Sequence, residues 1–159
     1  MRLNPSTERP KSRKAPSRSR RETARPRWLT WARAPTLMLE CDVTLSAEGC
    51  AGFAFGGSEA DEAWTALCLD AERNLIHYEG YELTELSDYP PMAVTRFDFS
   101  ENRTHHVTLV CENEIVVMYI DDEKALSSRI GHSTDGAHIG VFSESCDAAF
   151  SGITMKVPE

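Results

Sequence analysis

The chain has 159 residues, 41% of them hydrophobic and 26% charged, with a formal net charge of −8. That is room for one domain and an appendage but not for two large domains, and no apolar run approaches the ~20 residues that span a bilayer. Five cysteines, Cys41, Cys50, Cys68, Cys111 and Cys146, are scattered without a C-x-x-C pair, which argues against a disulfide framework or a zinc site and for reduced, buried thiols in a cytoplasmic protein.

The first element is a tail, residues 1–34. Eleven Lys and Arg there face only Glu8 and Glu22, about +9, which leaves the rest of the chain near −17. The segment is rich in Pro, Ser and Arg and has little to bury, so disorder is expected. No apolar stretch of the kind a secretory signal needs precedes Trp28. The acid-poor composition also fits a transit peptide, although its prolines oppose the amphipathic helix such peptides form. Clusters such as "KSRK" and "RSRRE" suit the phosphates of nucleic acid, whereas the acidic remainder would repel them.

From Thr36 the pattern has a period of two. In "TLMLECDVTL", Leu37, Leu39, Cys41, Val43 and Leu45 share one face while Glu40, Asp42 and Thr44 share the other, the mark of a half-buried strand. "AGFAFGG", with Phe53 and Phe55 in phase, and "AWTALCLD" predict two more strands, and "AERN" a turn into "LIHYEGYEL". Pro90 and Pro91 stop that strand before "MAVTRFDF". "HHVTLVCE", "IVVMYI", "KALSSRI", "AHIGVFS" and "AAFSGITMKV" follow, and no window carries a helical period.

Nine or ten short strands with no helix between them predict an all-β domain over residues 35–159: an antiparallel β-sandwich of jelly-roll, concanavalin-like type. Such a domain buries roughly two thirds of the surface of its extended chain and needs no metal, disulfide or cofactor to hold a core. The strand Ile115 to Ile120 is apolar on both faces. That predicts a covering layer, a curled loop or a partner on its outer side.

"IVVMYIDDEKALSSRI" followed by "AHIGVFSESCDAAFSGITMKV" resembles the end of the C-terminal β-sandwich of family 32 glycoside hydrolases, the invertases, levanases and inulinases. Tyr119 takes the place of an aromatic near a strand end, Asp121 and Asp122 the hairpin turn, and Ser127, Ser128 and Arg129 a closing triplet. Gly140, Val141 and Phe142 match the next strand, and Ala148, Phe150 and Ile153 the last. "LECDVTLSAEGCAGFAFGG" resembles the first hairpin of the same module. Val117 departs from a frequent Glu, and Asp122 from a frequent turn Gly that a type I′ hairpin favours.

The resemblance implies a non-catalytic module that supports a propeller carrying the two carboxylates of fructoside hydrolysis, or that binds fructan. The alternatives are a stand-alone, lectin-like sugar-binding module and nucleic-acid binding through the tail. The propeller motifs W-M-N-D-P-N-G and R-D-P are absent, so no catalytic residue is assigned. The pair Glu40-Cys41 is what a strand wet on one face produces. The propeller, or a second copy, would dock on the Ile115 to Ile120 face.

The acids Asp121, Asp122 and Glu123 read as a solvated hairpin tip. Calcium at Asp121 and Asp122 is the alternative, and it would require six to eight oxygens. His105 and His106 are adjacent, so in a strand their rings point to opposite faces, and His77, His132 and His138 lie apart. Sugars are held by aromatic faces beside carboxylates, which makes Glu59, Asp61, Trp64, Tyr81 and Tyr89 the carbohydrate-binding candidates. The competing reading packs Trp64 in the core with the tyrosines at its rim.

Overall fold

A computed structural model describes residues 27–29, 36–46, 49–56, 63–82, 93–100, 104–129, 138–144 and 146–157. These contain eleven strands in two antiparallel sheets and no helix, so among the described residues no helix is long and apolar enough to cross a membrane. In chain order the strands are β1 (Arg27–Leu29), β2 (Thr36–Leu45), β3 (Cys50–Gly56), β4 (Ala63–Asp70), β5 (Leu75–Glu82) and β6 (Ala93–Arg96). They continue as β7 (Thr104–Glu112), β8 (Ile115–Ile120), β9 (Glu123–Arg129), β10 (His138–Glu144) and β11 (Ala148–Lys156).

One sheet has the order β1-β10-β3-β4-β5-β6 and the other β11-β2-β7-β8-β9. The predicted all-β sandwich is thus present: two-residue turns join β7, β8 and β9, residues 71–74 join β4 to β5, and the chain crosses between sheets from β2 to β3 and from β10 to β11. Arg27–Leu29, which composition assigns to the tail, pairs with β10, and Leu29 packs against the core. The rest of residues 1–34 lies outside the described residues.

The core lies between the sheets and follows the period of two. Leu37, Leu39, Cys41, Val43 and Leu45 of β2 meet Phe53, Phe55, Leu67, Leu69, Ile76 and Tyr78 from the six-stranded sheet. Edge-on ring contacts join Phe53 to Phe150 and Phe55 to Tyr78, at centroid separations of 5.9 and 6.5 Å. The Tyr78 hydroxyl, brought inside by this packing, donates to Thr65 Oγ1 at 2.7 Å, which removes the cost of burying it. Burial pushes the Cys41 and Cys111 thiols up to about 12, so both behave as small apolar side chains.

Packing is tight enough to dictate one residue's identity. A Cβ on Gly52 would stand 1.9 Å from the Leu67 carbonyl oxygen, so β3 approaches β4 too closely there for any side chain. At the other end of the sandwich, β11 bulges between Ser151 and Thr154, where Gly152 has φ +62°. The bulge bends this edge strand and breaks the run of free backbone groups that invites edge pairing.

The two faces of β8 differ in burial. Val116, Met118 and Ile120 enter the core, while Ile115 is 50% exposed and Val117 and Tyr119 are half-buried. Among the described residues the apolar outer face is open to solvent at its start.

Candidate functional site

The six-stranded sheet buries a second surface. Its register sets Glu144, Cys50, Asp70, Leu75 and Arg96 in one row across β10, β3, β4, β5 and β6, and Phe142, Gly52, Cys68, His77 and Val94 in the next. These alternate with the core residues and therefore lie on the opposite face. Cys50, Ala54, Trp64, Ala66, Cys68 and Phe142 form an apolar cluster there, separate from the main core. Asp70, His77 and Glu144 are buried on the same face.

Trp64 belongs to this cluster and is only 3% exposed. It packs on the far side of the sheet instead of filling the space between sheets. Tyr81 is its register partner on β5, and Glu59, Asp61 and Tyr89 lie outside the described residues. Of the five sugar-binding candidates, the described strands therefore bring two into one row.

The polar end of this face is built by the turn between β4 and β5. Asp70, fully buried, accepts from the Arg73 backbone N–H on Oδ1 at 2.9 Å and from Arg73 Nε on Oδ2. His77 Nε2 lies 3.5 Å from Asp70 Oδ2 and 3.2 Å from Arg73 Nη2. Burial raises the Asp70 pKa, but the hydrogen bonds to His77 and to Arg73, with the guanidinium charge, outweigh it and bring the carboxyl down to about 2. The charge on Asp70 is thus fixed at neutral pH, and it holds the Arg73 side chain.

Asn74 closes the turn with φ 53°, a left-handed conformation that Asn tolerates better than most residues. That geometry aims both of its oxygens at one neighbouring segment. The Asn74 carbonyl accepts from Phe97 N, and its side-chain Oδ1 accepts from Phe99 N, each at 3.0 Å. The β4–β5 turn and the stretch after β6 are thereby tied together.

Between them is a cleft of about 620 Å³ lined by Arg73, Asn74, Leu75, Arg96, Phe97 and Asp98. Its rear is aromatic: Phe97 and Phe99 lie 4.7 Å apart and both meet the His105 ring edge-on at 5.3 and 5.5 Å. The cleft therefore offers guanidinium donors, amide and carboxylate oxygens, and a partly buried ring, the chemistry that holds polyhydroxylated ligands.

The acids singled out in the sequence have other tasks. Asp121 and Asp122 form the two-residue β8–β9 turn with φ 52° and 67°, a type I′ geometry. Asp121 is more than a solvated tip, because its carboxylate takes His106 N at 3.0 Å and His105 Nδ1 at 2.8 Å. Among the described residues no group of three or more His, Cys, Asp or Glu is arranged to hold a metal. The rings of His105 and His106 do point to opposite faces, the first buried and the second exposed against Asp42 at 2.9 Å. Glu40 lies on the wet face of β2, held by Lys156 Nζ at 2.8 Å and Thr154 Oγ1 at 3.4 Å, and these bonds lower its pKa despite slight desolvation.

Sequence reasoning missed Asp70, Arg73, Asn74, Arg96 and Asp98. A local signal did exist for the first three: an acid closing a strand, an Arg three residues on and an Asn ending the turn is a side-chain-capped loop. Arg96 and Asp98 reach the site only through the β5–β6 pairing, which no local pattern encodes.

No protein-family model and no curated protein matches the chain. Among solved structures it is similar to the carbohydrate-binding module CBM66 from Bacillus subtilis, with a TM-score of 0.61 and 16% identity over 86% of this chain and 94% of that one. It is also similar to a β-fructofuranosidase from Aspergillus kawachii complexed with glycerol, with a TM-score of 0.56 and 17% identity, covering 85% of this chain but 26% of that one. A third similarity is to chicken galectin 2, with a TM-score of 0.57 and 9% identity over 85% of this chain and all of that one, 100%. At these identities the shared property is the two-sheet fold.

Proposed function

We propose that the chain is a non-catalytic carbohydrate-binding β-sandwich that takes its ligand in the cleft between the β4–β5 turn and the segment after β6. The observation that carries this is the construction of the cleft. A buried Asp70, ionised at neutral pH, holds Arg73, and Asn74 fixes the Phe97 to Phe99 wall, so donors, acceptors and a ring are positioned before any ligand arrives. Such preorganisation lowers the entropy cost of binding. The likeness in fold to a carbohydrate-binding module, a galectin and part of a β-fructofuranosidase supports the same reading.

The finer form of the proposal is an accessory module of a β-fructosidase-type glycoside hydrolase, with fructan as ligand and the open Ile115 to Tyr119 strip as the surface for a catalytic domain. It draws on the sequence resemblance in β8 to β11. Calorimetric titration of the whole chain with levan, inulin and sucrose tests it. Binding that is weakened by Asn74→Ala supports the fructan reading, and absence of heat from all three titrants removes it.

A further inference from the structure

We propose that the cleft accepts an acidic sugar, a glycan whose ring carboxylate is held by Arg96; this rests on reading the cleft as a glycan site and goes beyond it in ligand class. The argument begins with charge. After Ala34 the sequence has six Lys and Arg against twenty-three acids. On so acidic a domain a cation readily finds a carboxylate, and most of the described ones have done so: Arg73 with Asp70, Arg129 with Glu114 at 3.4 Å and Lys156 with Glu40 at 2.8 Å.

Arg96 is different. It lines the cleft, is exposed, and meets no carboxylate within 4 Å among the described residues. The acid nearest in sequence, Asp98, also lines the cleft but turns to Ser100, whose N–H it accepts at 2.9 Å. The Ser100 hydroxyl first, and then that backbone hydrogen bond, keep the Asp98 carboxyl below its usual range. The cleft therefore pairs a guanidinium that has no counter-ion among the described residues with a ring wall at Phe97 and an apolar floor at Leu75.

A guanidinium is a planar fork that matches a carboxylate through two parallel N–H···O bonds. A uronate-type ring supplies that carboxylate together with an apolar face for Phe97 and hydroxyls for Asn74 and Asp98. The surrounding negative domain would repel free anions at long range, so the ring contacts are needed to hold the charged group in place.

The test is calorimetric titration of the full chain, in parallel, with trigalacturonate, its methyl ester, sodium sulfate and inulin, at low and moderate salt. Trigalacturonate should bind, its uncharged methyl ester about tenfold more weakly, and added salt should weaken only the charged ligand. Arg96→Gln should remove that preference without altering thermal unfolding, because the exposed Arg96 has no ion pair to lose among the described residues, and Arg96→Lys should retain part of it.

Equal binding of the acid and its ester, or unchanged affinity in Arg96→Gln, overturns the inference. So does sulfate binding as tightly as trigalacturonate, which would mark a simple anion site. Inulin bound in preference to trigalacturonate overturns it while leaving the cleft a glycan site, and silence from every titrant removes both proposals.

Discussion

Asp121 in the β8–β9 turn and His105 in β7, sixteen residues apart, meet through a 2.8 Å hydrogen bond between the carboxylate and Nδ1. The same carboxylate takes the backbone N–H of His106, and the Asp121 N–H donates to the His106 carbonyl at 2.8 Å. One turn residue thus fixes the hairpin on its neighbour and sets the imidazole that backs Phe97 and Phe99. Asp121→Ala should cost about 2 kcal/mol by chemical denaturation, from two lost hydrogen bonds and a residue poorly suited to positive φ. Asp121→Asn, which keeps an acceptor and tolerates the backbone, should cost less than half of that. Equal losses would show that the carboxylate does not anchor the hairpin.

Asp70 supplies a pH-dependent contribution. Its pKa in the folded protein is about 2 against an ordinary 3.8, so its stabilisation is present above pH ~4 and is lost as pH falls through 4 toward 2. Asp70→Asn should destabilise the protein at neutral pH by about 2 kcal/mol, reduced from the full cost of breaking a buried pair because Arg73 is 35% exposed. Acid titration of stability for the two proteins should show the difference shrinking between pH 4 and pH 2. A constant difference over that window would contradict the assigned role.

Gly52 offers a steric test. A methyl group there would fall inside contact distance of the Leu67 carbonyl oxygen, and backbone cannot swing aside as a flexible side chain does. Gly52→Ala should lower stability by about 3 kcal/mol or prevent folding. Gly80, where a Cβ would meet nothing within 4 Å, serves as the control, and Gly80→Ala should be close to neutral in a thermal melt.

Asn74 joins stability to binding. Asn74→Ala loses the Oδ1 acceptor for Phe99 N and the tolerance of φ 53°, at a cost of about 1–2 kcal/mol. Asn74→Gly restores the backbone freedom but not the acceptor. Glycan affinity should fall in both variants, while unfolding temperature should fall mainly in the first, so comparing calorimetry with thermal melts separates the two effects.

The alternation in β2 and β7 was legible because each has one face in the core and one in water, and their burial follows the sequence residue by residue. The far side of the six-stranded sheet was not legible. Cys50, Ala54, Ala66 and Cys68 are small residues of weak polarity, and pattern alone does not tell a second buried face from a neutral one. In β8 apolar residues on both faces predicted a cover without naming it, because hydrophobicity records an affinity and not an occupant; Ile115 is exposed among the described residues. The turn Ala71 to Asn74 was recognised as a turn, but its use as the frame of a cleft depends on Phe97 and Phe99, brought beside it by strand pairing.

The double-sided burial of β3 and β4 also orders the sandwich in time. From Cys50 to Phe55 and from Ala66 to Asp70 every residue is buried, so these amides should exchange with deuterated solvent only on global opening, whereas the bulged edge β11 should exchange by local fraying. Asp70, the last residue of β4, holds the cleft residue Arg73. The cleft's framework is therefore fastened to the slowest-opening part of the molecule, and ligand should find the same framework through the fluctuations of the sandwich's margins.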